Sequence, residues 1–329
     1  MENRSEITNV ELEKSKQIIS KITECYYKKM VGQTRLGWSL LIAIISNGHI
    51  LLESVPGLAK TTAAKTLTDA VNGKFSRIQC TPDLLPSDII GTQILNYSTG
   101  SFETKLGPVH ANFVLLDEIN RSSAKTQSAM LEVMQEHQTT IGGVKYDTPE
   151  IFMVIATQNP IEQEGTYLLS EAQLDRFFMK AIIDYPNVAE ELEIMNRIEN
   201  DVFTQSRSVV TLDDIKYVQD LVKRVYLDDS IKNYIVRIID ATRHAEKFIP
   251  KNLAQYITLG SSIRGSICLM EISKAVAVLS GRDYVTPDDV KAFAKGVLRH
   301  RVSLNFAAVA DGVTEDMIID AIMGAVPTP

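Results

Sequence analysis

Between residues 49 and 71 the chain passes from an apolar run, HILLES, through a short glycine-containing loop into TTAAKTLTDAV, where Ala64, Leu67 and Val71 fall on one helical face. A buried strand, a tight loop and a helix in that order commit a chain to an α/β layer, because the helix must fold back onto the strand that precedes it. The loop is close to the phosphate-binding pattern G-x-x-x-x-G-K-[ST], which works by aiming backbone N–H groups at phosphate oxygens from a helix N-terminus. Gly57, Lys60 and Thr61 are in place, but Ser54 and Ala59 stand where the two outer glycines belong. Only a required positive φ would strain them. Alone, the match is weak: a helix-capping loop with a surface lysine would look the same.

Two further strand ends strengthen it. FVLLDE (113–118) sets Asp117 and Glu118 after four apolar residues, and adjacent carboxylates at the end of so apolar a strand are costly unless something uses them. In phosphate-loop ATPases such an Asp meets Mg²⁺ and the following Glu polarises the attacking water. IFMVIATQ (151–158) is a third strand, followed by Asn159, which could hold that water or simply begin a turn before Pro160. Strands alternating with helices, such as 124–138, predict a parallel sheet covered on both faces. Two segments break the alternation, 92–106 around Ser98-Thr99-Gly100 and 139–148 around Gly142-Gly143, and both predict β-hairpins. After DYPNV (184–188) strand-like runs largely disappear. Helices with T-x-x-D starts at Thr211 and Thr286 follow, the second with Pro287 at its first position. The expected division is therefore an α/β core over 1–184 and an all-α lid over 185–329.

Composition narrows the function. A formal charge of −7 argues against a dedicated nucleic-acid binder. Cys25, Cys80 and Cys268 lie far apart with no C-x-x-C, so a zinc site is not expected. The polar N-terminus lacks a signal-peptide core, and the longest apolar run, SLLIAIIS (39–46), is too short for a bilayer. A cytoplasmic protein without direct membrane insertion is expected. There is no G-x-S-x-G or H-E-x-x-H, and His137 and His300, in charge-rich helices, are expected to be solvated.

Taken together the motifs resemble the AAA+ ATPases, and among them the MoxR family. The similar stretches are VGQ (31–33), LLESVPGLAKT (51–61), CTPDLLPSDIIG (80–91), GPVHANFVLLDEINR (107–121), KTQSAMLEVMQE (125–136), ATQNPIEQEGTYLLSEAQLDRF (156–177), GSSIRG (260–265) and the closing VPTP. The family accepts alanine before the lysine; Ser54, where most members have glycine, and Ser170, where proline is common, depart from it. The resemblance implies an AAA+ core with the two hairpins as insertions, a helical lid, and ATP with Mg²⁺ as cofactors. It implies phosphate binding by Lys60 and the loop Pro56, Gly57, Leu58, Ala59, Thr61 and Thr62, and Mg²⁺ held by Thr61 and Asp117. Glu118 would be the catalytic base, Asn159 the sensor-1 residue, and Val31 and Gly32 neighbours of the adenine. Arg176 would be the arginine finger reaching a neighbouring subunit's γ-phosphate, and Arg264 sensor 2 on the lid.

The same resemblance implies a homo-oligomer, a hexameric ring, that remodels or activates a client protein. The partner often carries a von Willebrand factor A domain, expected here on another polypeptide. Two other functions compete. One is a nucleic-acid motor, which the mixed charge of the hairpins (Lys105 beside Glu103, Lys145 beside Asp147) disfavours. The other is an ATP-binding scaffold with negligible turnover, which Ser54 alone favours.

Overall fold

The structure, a computed structural model, describes residues 6–55, 57–160, 166–200 and 208–329. Pro56, assigned above to the phosphate loop, and residues 161–165 of the ATQNP stretch lie outside the described residues. The core runs α1 (Asn9–Lys29), α2 (Thr34–Ile45), β1 (Ile50–Glu53), α3 (Lys60–Ala70), β2 (Phe75–Gln79), α4 (Pro86–Ile90), β3 (Gly91–Asn96), β4 (Ser101–Leu106), β5 (Phe113–Asp117), α5 (Ala124–Glu136), β6 (Gln138–Ile141), β7 (Val144–Asp147), β8 (Met153–Gln158), α6 (Glu171–Leu174) and β9 (Met179–Ile182). The rest holds α7 (Val188–Glu199), α8 (Leu212–Arg224), α9 (Asp229–Arg243), α10 (Lys251–Ala254), β10 (Ile257–Leu259), α11 (Ile263–Leu279), α12 (Pro287–Ala292), α13 (Ala294–Leu298), β11 (Ser303–Leu304), α14 (Phe306–Ala310) and α15 (Glu315–Ala325).

Five strands form one parallel sheet in the order β2-β5-β8-β1-β9. Alternate residues of each strand go to opposite faces, as the pleat demands. Ile50, Leu52, Phe113, Leu115, Met153 and Ile155 join the apolar cluster that holds α1, α2 and α3. Leu51, Val114, Leu116, Val154 and Ala156 join a second cluster against α5. The two hairpins form as expected, β3 with β4 and β6 with β7.

The lid is not held at arm's length. Its helices α8, α9 and α11 bury Val218, Ile238 and Leu269 in the same cluster as Leu40 and Ile44 of α2. Polar contacts fix the junction: Gln219 Nε2 donates to the Ile44 carbonyl at 2.7 Å, and Arg301 Nη2 donates to the Phe177 carbonyl at 2.6 Å. Both T-x-x-D starts form capping boxes, and Ser170 caps α6 with Gln173. The lid also carries a short antiparallel pair, β10 with β11, within the segment expected to be all helix. His300 corrects a sequence expectation. It is buried rather than solvated, with Nε2 bonded to the Phe177 carbonyl at 3.1 Å, because the turn after α13 closes onto the chain entering β9. His137 is half-buried and ends α5 with a φ of +52°. Among the described residues, no helix is long and apolar enough to cross a membrane.

Candidate nucleotide site

The loop after β1 starts inside the sheet: the Ser54 amide donates to the Gln158 carbonyl at 3.2 Å. Ser54 is buried, is not among the positive-φ residues, and its hydroxyl donates to the Val55 carbonyl at 3.0 Å. Gly57 has a φ of +87°, and nothing lies within 4 Å of where a Cβ would stand. Ala59 is the strained member, with a φ of +53° at the N-cap of α3. The first intrahelical bond there runs from the Ala63 amide to the Ala59 carbonyl at 2.9 Å. The amides of Lys60, Thr61 and Thr62 therefore remain available to an anion at the positive end of the helix.

A cavity of about 790 Å³ opens beside this helix end. Gly57, Leu58, Ala59, Thr61 and Thr62 line its loop side, and Val31 with Met30 lines the far side. Ile194 and Ile198 of α7 close it with an apolar wall suited to a flat base. Gly32 serves packing: at φ +62°, an added Cβ would collide with the Glu190 carboxyl. Sequence reasoning missed Met30, Ile194, Ile198 and the Lys29–Asp69 pair, whose charges stand 3.8 Å apart with both side chains on the cavity wall.

Asp117 ends β5 almost fully buried, and both of its oxygens are engaged. Thr157 Oγ donates to Oδ1 at 2.9 Å, while Arg77 donates to Oδ2 from Nη2 at 2.5 Å and from Nε at 3.2 Å. Glu118 sits at a φ of +58°, with its amide donating to Thr157 Oγ at 2.8 Å. Its Oε2 accepts from Gln79 Nε2 at 3.1 Å and lies 3.2 Å from Arg121 Nε. Arg77 Nη2 also donates to Gln79 Oε1 at 3.1 Å, so one chain of contacts links the two carboxylates. The signal for this was present in FSRIQ, since residues two apart on a strand share a face. Asn159 is buried directly after β8, the neighbour of β5. Burial pushes the nearby Cys80 thiol up to about 12, which makes it inert.

The donor set fits Mg²⁺. Thr61 and Asp117 offer hard oxygens, and among the described residues no group of three or more His, Cys, Asp or Glu side chains could form an all-protein cage. Mg²⁺ characteristically uses one or two carboxylates and completes its shell with waters and substrate phosphates.

Arg176 and Arg264 are not at this cavity. Both line a separate cleft of about 180 Å³, together with Asp175 and Arg301. Asp175 organises it: Arg301 Nε donates to Oδ1 at 2.9 Å, Ser262 Oγ donates to Oδ2 at 2.8 Å, and Arg264 Nη1 lies 3.6 Å from Oδ2. The Arg176 Nε is buried without a hydrogen-bond partner among the described residues.

Known proteins match most of the chain. Residues 49–179 match the profile described as ATPase family associated with various cellular activities (AAA), and 251–322 match the AAA lid domain. The chain is 43% identical over 300 residues to Chaperone MoxR1 of Mycobacterium tuberculosis, covering 91% of this chain and 79% of that protein. It is 42% identical over 313 residues to YeaC of Bacillus subtilis, covering 95% of each. A crystal structure from Cytophaga hutchinsonii superposes with a TM-score of 0.92 at 44% identity, over 97% of both chains.

Proposed function

The chain belongs to the MoxR family of AAA ATPases, and we propose that it hydrolyses ATP with Mg²⁺ at sites completed between copies of itself, as a ring that remodels a client protein. The observation that carries this reading is the separation of parts. Thr61 lines the large cavity and Lys60 begins the helix beside it, and Asp117 and Glu118 end β5 at the same edge of the parallel sheet as the loop that follows β1, whereas Arg176 and Arg264 share the other cleft. Arginines that line a cleft away from the loop suit a transferring phosphoryl group held by a neighbouring copy.

In this mechanism the amides of residues 57–62 and Lys60 hold the phosphates. Thr61 and Asp117 would hold Mg²⁺, which when bound neutralises charge on the β- and γ-phosphates. Asn159 positions a water, and Glu118 takes its proton as the water oxygen bonds to the γ-phosphorus. The bond to the bridging oxygen breaks and its electron pair leaves with ADP. Arg176 and Arg264 of the next copy balance the charge that builds up on the γ-phosphoryl oxygens.

A protein client, including one with a von Willebrand factor A domain, suits the β3–β4 hairpin better than nucleic acid does. Ile94, Tyr97 and Phe102 are exposed on it, and Glu103 accepts from Asn96 at 2.6 Å. Nothing there forms the basic track that phosphate backbones require. A cytoplasmic setting accords with three free cysteines. The test is phosphate release by wild type, Glu118→Gln and Arg176→Ala. Each variant should lose about 100-fold or more; wild-type rates in both would overturn the mechanism.

A further inference from the structure

The carboxylate assigned to Mg²⁺ already has a cation on it. Arg77 grips Oδ2 of Asp117 through two nitrogens, Thr157 occupies Oδ1, and Gln79 steadies the guanidinium from the same strand. The arrangement is built rather than incidental. The β2–β5 register pairs Gln79 with Asp117 and Arg77 with Leu115, so the guanidinium reaches the Asp117 carboxylate diagonally across one face of the sheet. The Arg77 side chain is half-exposed while that of Asp117 is nearly buried, so the arginine can swing away and the carboxylate cannot. A divalent ion brought to the same oxygens would meet a resident positive charge that must first move aside.

We propose that Arg77 is a positioning residue that holds Asp117 as a resident counter-cation and competes with Mg²⁺ for it, so that Mg²⁺ is accepted together with nucleotide phosphates rather than alone. Two consequences follow from charge. With Arg77 in place, Asp117 repels incoming phosphates less, which favours nucleotide binding without metal. The same guanidinium discounts what Mg²⁺ adds. Removing its charge therefore weakens metal-free ATP binding and enlarges the tightening that Mg²⁺ brings.

The inference rests on the ATPase reading, and its test separates the two. ATP affinity is measured by calorimetry for the full chain in EDTA and in saturating Mg²⁺, for wild type, Arg77→Gln and Arg77→Lys. The quantity read is the ratio of the two dissociation constants. Arg77→Gln should raise that ratio by about tenfold, a scale set by the charge of one half-exposed group near a buried one. Arg77→Lys, which keeps the charge but loses the forked grip, should fall between Gln and wild type. If the Gln variant does not fold, the Lys variant alone must still shift the ratio upward. A ratio unchanged or lowered in the folded variants overturns the inference and leaves the ATPase reading intact. Failure of wild type to bind ATP in either condition would instead remove the reading beneath it.

Discussion

Ala59 and Ser54 both replace glycines in the loop pattern, but only one of them meets the conformation that glycine exists to serve. Ala59 carries a φ of +53°, whereas Ser54 stays out of the positive-φ region and satisfies its hydroxyl on Val55. A left-handed alanine costs about 1–2 kcal/mol, partly offset by the greater chain entropy a glycine would lose. Ala59→Gly should therefore stabilise the fold by about 0.5–1 kcal/mol in urea unfolding. Ser54→Gly should leave ATP affinity within about tenfold, or about 1.4 kcal/mol, in equilibrium binding. The sequence posed this question correctly and could not answer it, because φ at each position depends on how the loop joins the sheet. The groups around the carboxylates were harder to see. Arg77, Gln79 and Thr157 act by facing Asp117 and Glu118 across strands, and β2 is too polar at Arg77 and Gln79 to announce itself as a strand.

At the scale of elements, strands with uninterrupted apolar runs, β1, β5 and β8, were legible, as were α3, α5 and both hairpins. The missed strands are β2 and β9 at the sheet edges and the short β10 and β11. Edge strands need less apolar residue, so periodicity gives little warning of them. His49 shows what joins the legible parts. It lies fully buried before β1, with Nε2 facing the Met134 carbonyl of α5 at 3.0 Å and Nδ1 accepting from the Val154 amide of β8 at 3.0 Å. The Val154 amide fixes the neutral tautomer, with the proton on Nε2. Burial lowers its pKa to about 4, against 6.5 for the free side chain. The folded form thus binds this proton less readily than the unfolded form. Its stabilisation is complete above about pH 6.5 and is lost as pH falls through about 4. His49 should contribute about 2 kcal/mol to the fall in unfolding free energy between pH 7.5 and 5, alongside His300 and His110, whose pKa values burial also lowers. A His49→Gln variant should show a shallower pH slope in the same urea titration; an unchanged slope would remove His49 as the cause.

At the scale of the whole molecule, Arg301 fastens lid to core. Its side chain is 1% exposed and bonds to Asp175 Oδ1 at 2.9 Å and to the carbonyls of Asp175, Phe177 and Phe178. Arg301→Ala removes the partner of Asp175 Oδ1 and of three backbone carbonyls, and should cost about 3–5 kcal/mol, measured by urea unfolding. The same clasp sets Arg176 and Arg264 in one cleft. No spacing in the sequence could show that pairing, since the two lie in different elements brought together only when the lid docks. The claim that follows is that one copy's arginines complete another copy's site. It is tested most directly by mixing Glu118→Gln with Arg176→Ala and measuring phosphate release. Each alone should be nearly inactive. The mixture should recover turnover wherever an intact Glu118 in one copy meets an intact Arg176 from the other. A mixture no more active than its components, at any ratio, would contradict the account.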